Sequence, residues 1–406
     1  MKKAKAPSAE QLTRLFGRGT SKVYGETQLK TQLSAGKQLR IYYGVDPTGP
    51  VIHLGHAVIL RKLRLFQQLG HEVILLIGSF TAQIGDPSDK DAARKPLSLE
   101  EVMENAETYK EQASKIISFT GENAAKLKFN SDWLAELTFT EVVQLAHNFT
   151  VQQLLERDMY QERLKANKPI GLHEFFYPLM QGYDSVAMEV DIEIGGTDQT
   201  FNMLAGRTLM KKLKGKEKSV ITIELLEGTD GRKMSKSFGN LIAVTADPSE
   251  MYGGIMSLRD ELIVRYFELC TDLEQKQIRE YEKQLKAGDN PRDVKAKLAH
   301  RIVTEYHSGE AADKAEHEFT AVFRKKEKPS EVETYYALEV EPKLVDVLEQ
   351  SGLAQSRNEA RRLIEQGGVK VDGEAVEDIH AVIGIPEAGL DIQVGKRRFL
   401  KLCRPT

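Results

Sequence analysis

The amino-acid sequence predicts an α/β fold: an open parallel sheet interrupted by a helical insertion, followed by a helical domain and a small α+β domain. Two strand-length apolar runs, Ile41-Tyr42-Tyr43-Gly44-Val45 and Val73 to Ile77, flank a helix-periodic stretch from Leu54 to Leu69. Strand, helix and strand joined by short returns imply a right-handed parallel crossover, because parallel neighbours need a crossing connection and strand twist fixes its hand. Polar, glycine-containing clusters recur after the predicted strands, and beyond Pro248 the sequence becomes charged and helix-periodic.

Each element has a local reason. Asp46-Pro47-Thr48-Gly49-Pro50 has the composition of a turn, the helix after it carries Ile59, Leu63 and Phe66 on one face, and Gly70 closes it. Helical stretches are expected from Glu100 to Thr120 and from Phe139 to Ala166, then a strand from Asp191 to Ile194, a helix reaching Lys212, and a strand from Val220 to Leu226. The sheet-forming domain is therefore expected over residues 1–245, with its helical insertion at about 99–168, and a helical domain over 246–328. Arg324-Lys325-Lys326-Glu327-Lys328-Pro329 reads as a charged linker. A small domain is expected over 341–406, where Ser356-Arg357-Asn358-Glu359 is a capping box opening a helix. Gly367-Gly368 ends that helix, and Val369-Lys370-Val371-Asp372-Gly373 is a strand entering a tight turn.

A chain of 406 residues is too long for one ordinary domain, which agrees with this division. Formal charge is -3, so any contact with nucleic acid must come from local basic clusters. The two cysteines, Cys270 and Cys403, exclude a disulfide framework and a cysteine-rich zinc site and fit a reducing cytosol. Met1-Lys2-Lys3-Ala4-Lys5 is not followed by an apolar stretch of signal-peptide length, and no run approaches a membrane span. A cytoplasmic protein without a membrane partner is expected.

Four polar clusters follow predicted strands: Asp46 to His56, Gly85-Asp86-Pro87-Ser88, Gly195-Gly196-Thr197-Asp198-Gln199, and Lys233-Met234-Ser235-Lys236-Ser237. In an open parallel sheet such loops converge at the carboxyl edge, where ligands bind. His53-Leu54-Gly55-His56 sits at a helix start, where free N–H groups and the dipole favour phosphate and Gly55 permits close approach. The same histidines could instead be a capping or surface pair. Lys233 and Lys236 put two ammonium groups in a glycine- and serine-containing loop, where they could meet the charge on a departing pyrophosphate. Taken alone, such a loop is usually solvated surface.

Together the two motifs resemble the signatures of class I aminoacyl-tRNA synthetases, a His-x-Gly-His early in a Rossmann-like domain and Lys-Met-Ser-Lys-Ser after its last strand. No Walker pattern is present, since Gly85 is followed by Asp86. Tyr177, Gln181 and Asp184 fall at i, i+4 and i+7, so three polar groups share one helix face, which is either exposed or lines a pocket. This string, followed by Gly195-Gly196-Thr197-Asp198-Gln199, is similar to the tyrosine-binding region of bacterial tyrosyl-tRNA synthetases. The likeness runs from about Tyr42 to Asn240 and again through the C-terminal domain.

The resemblance implies roles residue by residue. Tyr42 and Asp184 would hold the phenolic hydroxyl of tyrosine, Asp86, Tyr177 and Gln181 its ammonium, and Gln199 would sit near its carboxylate. Gly44, Asp46, Gly55, Gly196 and Asp198 would line the ATP site, with Asp198 near the ribose. Thr48, His53, His56, Lys90, Arg94, Lys233 and Lys236 would grip the ATP phosphates and pyrophosphate, although Asp89 stands where the family often has glycine. A buried pair reading one hydroxyl rejects phenylalanine because the pair would be left unsatisfied. No side chain is needed as nucleophile, since the tyrosine carboxylate attacks the α-phosphate. Catalysis would be positioning and charge stabilisation, with Mg²⁺ carried on ATP and no dedicated protein metal site.

The C-terminal region resembles the S4 RNA-binding domain. Arg357 and Arg361, one turn apart, and Arg362 beside them would face tRNA phosphates, the alternative being a solvated basic helix face. Lys343 stands where the family often has arginine. The implied activity is activation of L-tyrosine with ATP and transfer to the 3'-terminal adenosine of tRNA(Tyr), by a homodimer whose interface the insertion could supply. A tryptophan-specific relative, a non-catalytic RNA-binding protein and a small-molecule adenylyltransferase are the rival readings. Tyr42 with Asp184, the two motif lysines and the S4-like region argue against them in turn.

Overall fold

The computed structural model describes residues 4–87, 97–234, 238–321, 333–395 and 398–405. The expected linker from Arg324 to Pro329 lies outside them. The chain divides into two compact units, Met1–Gly309 and Glu310–Thr406.

In the first unit the strands β1 (Thr20–Tyr24), β2 (Arg40–Val45), β3 (Glu72–Ile77), β4 (Lys126–Phe129), β5 (Ile192–Gly196) and β6 (Ser219–Ile223) form one sheet in the order β1-β6-β5-β2-β3-β4. Every neighbouring pair is parallel except β1 with β6. From β2 the chain winds outward through β3 to β4, then returns to the other side through β5 and β6. The order therefore reverses between β2 and β5, and a crevice at the carboxyl ends of those strands is where such a sheet binds ligands.

The expected α/β core is present, with two additions. β1 and β4 are sheet edges, and their residues, Thr-Ser-Lys-Val-Tyr and Lys-Leu-Lys-Phe, lack the apolar continuity that betrays a central strand. β4 lies inside the region expected to be a purely helical insertion.

Helices α1 (Ala9–Phe16), α2 (Glu26–Ser34), α3 (Leu54–Gln68), α4 (Thr81–Ile84), α5 (Leu99–Glu107), α6 (Tyr109–Ser114) and α7 (Ser131–Leu134) accompany the first half of the sheet. α8 (Phe139–Ala146), α9 (Val151–Leu155), α10 (Asp158–Lys165), α11 (Tyr177–Met188) and α12 (Thr200–Lys214) follow. The two long helices expected at 100–120 and 139–166 are thus broken into shorter ones. Thr138 caps the start of the second, accepting from the N–H of Glu141, and Thr150, inside it, interrupts it by capping a new helix through the N–H of Gln153. α11 and α12 pack nearly backbone to backbone: a Cβ on Gly182 would lie 3.2 Å from the amide nitrogen of Gly206.

Helices α13 (Pro248–Met256), α14 (Ile263–Cys270), α15 (Gln275–Lys286) and α16 (Pro291–Tyr306) complete this unit. They are tied to the sheet domain through the buried Arg61 and through Arg18. Arg61 of α3 pairs with Asp272 at 2.6 Å and Glu305 at 2.7 Å. Arg18 donates to the carbonyls of Phe267, Glu268, Thr271 and Leu273, satisfying the open end of α14.

The second unit follows the start of α17 (Gly309–Thr320) and holds β7 (Glu333–Tyr336), α18 (Leu344–Gln350), α19 (Arg357–Glu365), β8 (Val369–Val371), β9 (Glu374–Ala375), β10 (Leu390–Val394) and β11 (Arg398–Cys403). Its sheet has the order β7-β11-β10-β8-β9. Leu344, Leu348, Ala360, Ile364, Ile392 and Leu402 form the core between the two helices and the sheet. Asp372 (φ 48°) and Gly373 (φ 89°) make the left-handed turn expected after β8.

Candidate active site

Tyr42 and Gly44 point to the same face of β2, a central strand. Tyr42 is fully buried while Gly44 is exposed, so the sheet surface is open just beyond the tyrosine ring. The polar face of α11 turns inward against this opening. Tyr177 and Asp184 are buried and Gln181 is half-buried, so the face does not meet solvent.

Each of those side chains has a protein partner. Tyr177 Oη donates to Asp46 Oδ2 at 2.8 Å, and Gln181 Nε2 to Glu193 Oε1 at 3.0 Å. Asp184 accepts from Trp133 Nε1 at 2.8 Å and Asn130 Nδ2 at 3.3 Å. Burial pushes the Asp184 carboxyl well up, against the pull of those two donors. Tyr42 Oη lies 3.1 Å from Ser185 Oγ, and burial, reinforced by the Glu193 and Asp184 carboxylates, raises its phenol well above the ordinary range.

Asp46 closes the turn after β2. Its Oδ1 accepts from Thr81 Oγ1 at 2.7 Å, in space that exists only because residue 78 is glycine: a Cβ there would lie 1.8 Å from that oxygen. Burial pushes the Asp46 carboxyl up to about 7, opposed by hydrogen bonds from Thr81 and Tyr177 and assisted by the Asp86 charge. Gln199 Nε2 reaches Asp86 Oδ2 at 2.5 Å, and Asn202 Nδ2 holds Gln199 Oε1 at 2.9 Å. Clusters that follow three different strands therefore meet. Gly196 is buried and Asp198 exposed, and a Cβ on Gly196 would lie 2.4 Å from Asp198 Oδ1. Thr48 is exposed in the turn.

The histidine motif caps its own helix. His53 Nδ1 accepts from the N–H of Gly55 at 3.1 Å, and His56 Nδ1 accepts from the N–H of His53 at 3.3 Å, with the ring centroids 3.9 Å apart. The capping reading thus describes this structure, and Nε2 is the remaining polar atom of each ring. Burial lowers His53 to about 2, with His56 and Lys233 adding to the effect, and lowers His56 to about 4. Both rings are neutral at pH 7.

The start of the lysine motif lies against this turn, since a Cβ on Gly55 would meet Met234 Sδ at 3.4 Å. Asn240 Nδ2 anchors the loop through Asp230 Oδ1 at 2.7 Å and the carbonyl of Lys233 at 3.1 Å. Lys233 is exposed, whereas Lys236, Lys90 and Arg94 lie outside the described residues.

Sequence reasoning missed Asn130 and Trp133, which follow the unforeseen β4. It also missed the pair Lys218 and Glu193 with Ser185. A glutamate between two isoleucines in β5 was a usable signal, but Lys218 ends the charged run Lys216-Glu217-Lys218, which reads as surface.

In the second unit Arg357, Arg361 and Arg362 are all exposed on α19. Arg357 Nε is held by Asp346 Oδ1 at 3.0 Å and Glu349 Oε2 at 3.4 Å. Only half of the expected capping box forms: Ser356 Oγ accepts from the N–H of Glu359, whose carboxylate takes the N–H of Gln355 instead of closing on Ser356.

Residues 34–324 match the family described as tRNA synthetases class I (W and Y), and residues 343–381 match the S4 domain. The chain is 50% identical over 402 residues to the tyrosine–tRNA ligase of Carboxydothermus hydrogenoformans, covering 96% of each chain. It is 46% identical to that of Thermotoga maritima, covering 97% of each. Among solved structures it resembles the mitochondrial tyrosyl-tRNA synthetase of Aspergillus nidulans, with a TM-score of 0.65, 22% identity, and 77% of this chain and 94% of that one covered. The Archaeoglobus fulgidus tyrosyl-tRNA synthetase complexed with L-tyrosine matches with a TM-score of 0.59 at 23% identity, over 76% of this chain and 98% of that one.

Proposed function

This chain belongs to the class I tRNA synthetases, within them to the tyrosine–tRNA ligases, so it activates tyrosine with ATP and charges tRNA with it, and we propose that the cluster at the carboxyl ends of β2 and β5 is where activation occurs. The observation that carries this is the inward polar face of α11 set beside Tyr42, where Gly44 opens a central strand. Tyr42 and Asp184 read the phenolic hydroxyl. Asp86, Tyr177 and Gln181 receive the ammonium, and Gln199 stands by the carboxylate. A carboxylate oxygen of tyrosine attacks the α-phosphorus of ATP while the bond from that phosphorus to the pyrophosphate oxygen breaks. Mg²⁺ would be carried on the ATP phosphates and would offset their charge, with no residue of this chain assigned to hold it.

No proton needs to leave the attacking carboxylate, so the protein's work is placement and charge. Neutral His53 and His56 offer Nε2 to phosphate without taking up a proton. Lys233, with Lys236, Lys90 and Arg94, neutralises the leaving pyrophosphate. Gly44, Gly55 and Gly196 admit the nucleotide to the backbone, Thr48 borders its phosphates, Asp46 lines the nucleotide site where it adjoins Tyr177 and Asp86, and Asp198 takes the ribose. We assign catalysis to residues 1–245, with the insertion at 99–168, the helical domain to 246–328 and RNA binding to 341–406.

Arg361 and Arg362, with Arg357 once released from Asp346, meet tRNA phosphates. The enzyme works as a homodimer in the cytoplasm. In support of the dimer, Phe139 is 84% exposed and Val143, one turn on along α8, is also exposed, as is Val151 on α9. No helix among the described residues is long and apolar enough to cross a membrane.

Equilibrium dialysis of tyrosine against Asp184→Asn tests the site. At least a tenfold loss of tyrosine affinity with ATP affinity retained is expected, because an amide cannot accept from Trp133, Asn130 and a phenol together. Unchanged tyrosine affinity would remove Asp184 from the pocket.

A further inference from the structure

We propose that Lys218, Ser185 and Tyr42 form a directional hydrogen-bond chain, anchored by Glu193, that turns the Tyr42 proton toward the phenolic oxygen of the substrate. Lys218, Glu193 and Ser185 are then positioning residues for the selection of tyrosine over phenylalanine. The inference rests on the assignment of Tyr42 and Asp184 to the phenol.

Direction follows from counting protons. The Lys218 and Glu193 side chains are 0% and 2% exposed and pair directly. Lys218 Nζ also lies 2.8 Å from Ser185 Oγ. An ammonium has no lone pair, so Ser185 must accept there. The single hydroxyl proton of Ser185 then goes to Tyr42 Oη at 3.1 Å or to Glu193 Oε2 at 3.4 Å. Both Glu193 oxygens are already engaged, Oε1 by Gln181 and Oε2 by Lys218, and the Tyr42 contact is the shorter. With Ser185 donating to Tyr42, the tyrosine proton has two acceptors left: the Glu193 carboxylate, whose hydrogen bond helps raise the Tyr42 phenol, and a phenolic oxygen entering on the side of the exposed Gly44, to which the proton turns when substrate binds. An incoming phenol accepts that proton and gives its own to Asp184, which Trp133 and Asn130 hold in place. Phenylalanine can do neither.

Two further features fit this role. Tyr42 and Glu193 are register partners across β2 and β5, so the sheet itself sets their separation. Gly206 in the middle of α12 leaves the room the cluster needs, since a Cβ there would lie 2.5 Å from Lys218 Nζ and 2.8 Å from Ser185 Oγ. A buried ion pair is rarely the most stabilising filling for such a space, which favours a role in orientation over one in stability alone.

The test is amino-acid-dependent pyrophosphate exchange by the full chain, with kcat/KM measured for tyrosine and for phenylalanine. Ser185→Ala is expected to lower the tyrosine-to-phenylalanine ratio about tenfold, entirely through tyrosine, and to add nothing in a Tyr42→Phe background. The double variant Lys218→Met with Glu193→Gln removes the pair without stranding a charge, and should show the same loss. A wild-type ratio in Ser185→Ala, equal losses for both amino acids, or full additivity with Tyr42→Phe overturns the chain. If Tyr42→Phe lowers the ratio and Ser185→Ala does not, the chain alone falls. If Tyr42→Phe leaves the ratio unchanged, the phenol assignment falls and the chain with it.

Discussion

Tyr177 donates a 2.8 Å hydrogen bond to Asp46, tying helix α11 to the turn after β2 through a carboxylate held near neutrality. Burial keeps this carboxyl protonated to about 7, so its charge in the free enzyme depends on pH where most assays are run. An ammonium group entering beside Asp86 is attracted by the ionised form. In pyrophosphate exchange, kcat/KM for tyrosine should therefore rise as pH climbs through about 7, since this parameter reports the free enzyme. Asp46→Asn should match the wild type at low pH and lack that rise.

Gly206→Ala should destabilise the protein by about 1–2 kcal/mol in urea unfolding, although alanine is the better helix former by about 1 kcal/mol. The new methyl must displace Ser185 Oγ or part Lys218 from Glu193. A gain in stability would mean that the buried ammonium moves freely.

His71 should make the fold sensitive to acid. Its ring is fully buried, Nδ1 accepts from the N–H of Leu39 at 3.2 Å, and burial lowers its pKa to about 4. The unfolded chain takes up this proton below about 6.5 and the folded chain does not, so stability falls as pH drops. Urea unfolding from about pH 7 to about pH 5 should cost the wild type about 2 kcal/mol more than His71→Asn. Parallel losses in the two proteins would show that the ring protonates in place.

Lys233→Ala with Lys236→Ala should slow tyrosyl-adenylate formation in rapid-mixing experiments while leaving tyrosine affinity nearly unchanged. Their charges meet pyrophosphate only as it departs, so they act on the transition state and not on tyrosine binding. An unaltered rate would exclude both from the mechanism.

What could be read from the sequence was whatever carried a local signature. β2, α3 and β3 showed their periods, and the spacing of Tyr177, Gln181 and Asp184 put them on one face before the structure turned that face inward. What could not be read depended on partners distant in the chain. Asn130 and Trp133 reach Asp184 only because the edge strand β4 delivers them, and β4 has too little apolar sequence to announce itself. Lys218 looks like surface until Glu193 is seen beside it. The histidines illustrate a different limit: capping and phosphate binding use the same helix start, and sequence does not say which atoms are engaged.

The central claim is that this site selects tyrosine, and pyrophosphate exchange into ATP, run with each of the standard amino acids in turn, tests it most directly. Tyrosine should support the fastest exchange, with phenylalanine and tryptophan far behind, because only a phenol satisfies Tyr42 and Asp184 together. Faster exchange with any other amino acid would contradict the assignment of the pocket.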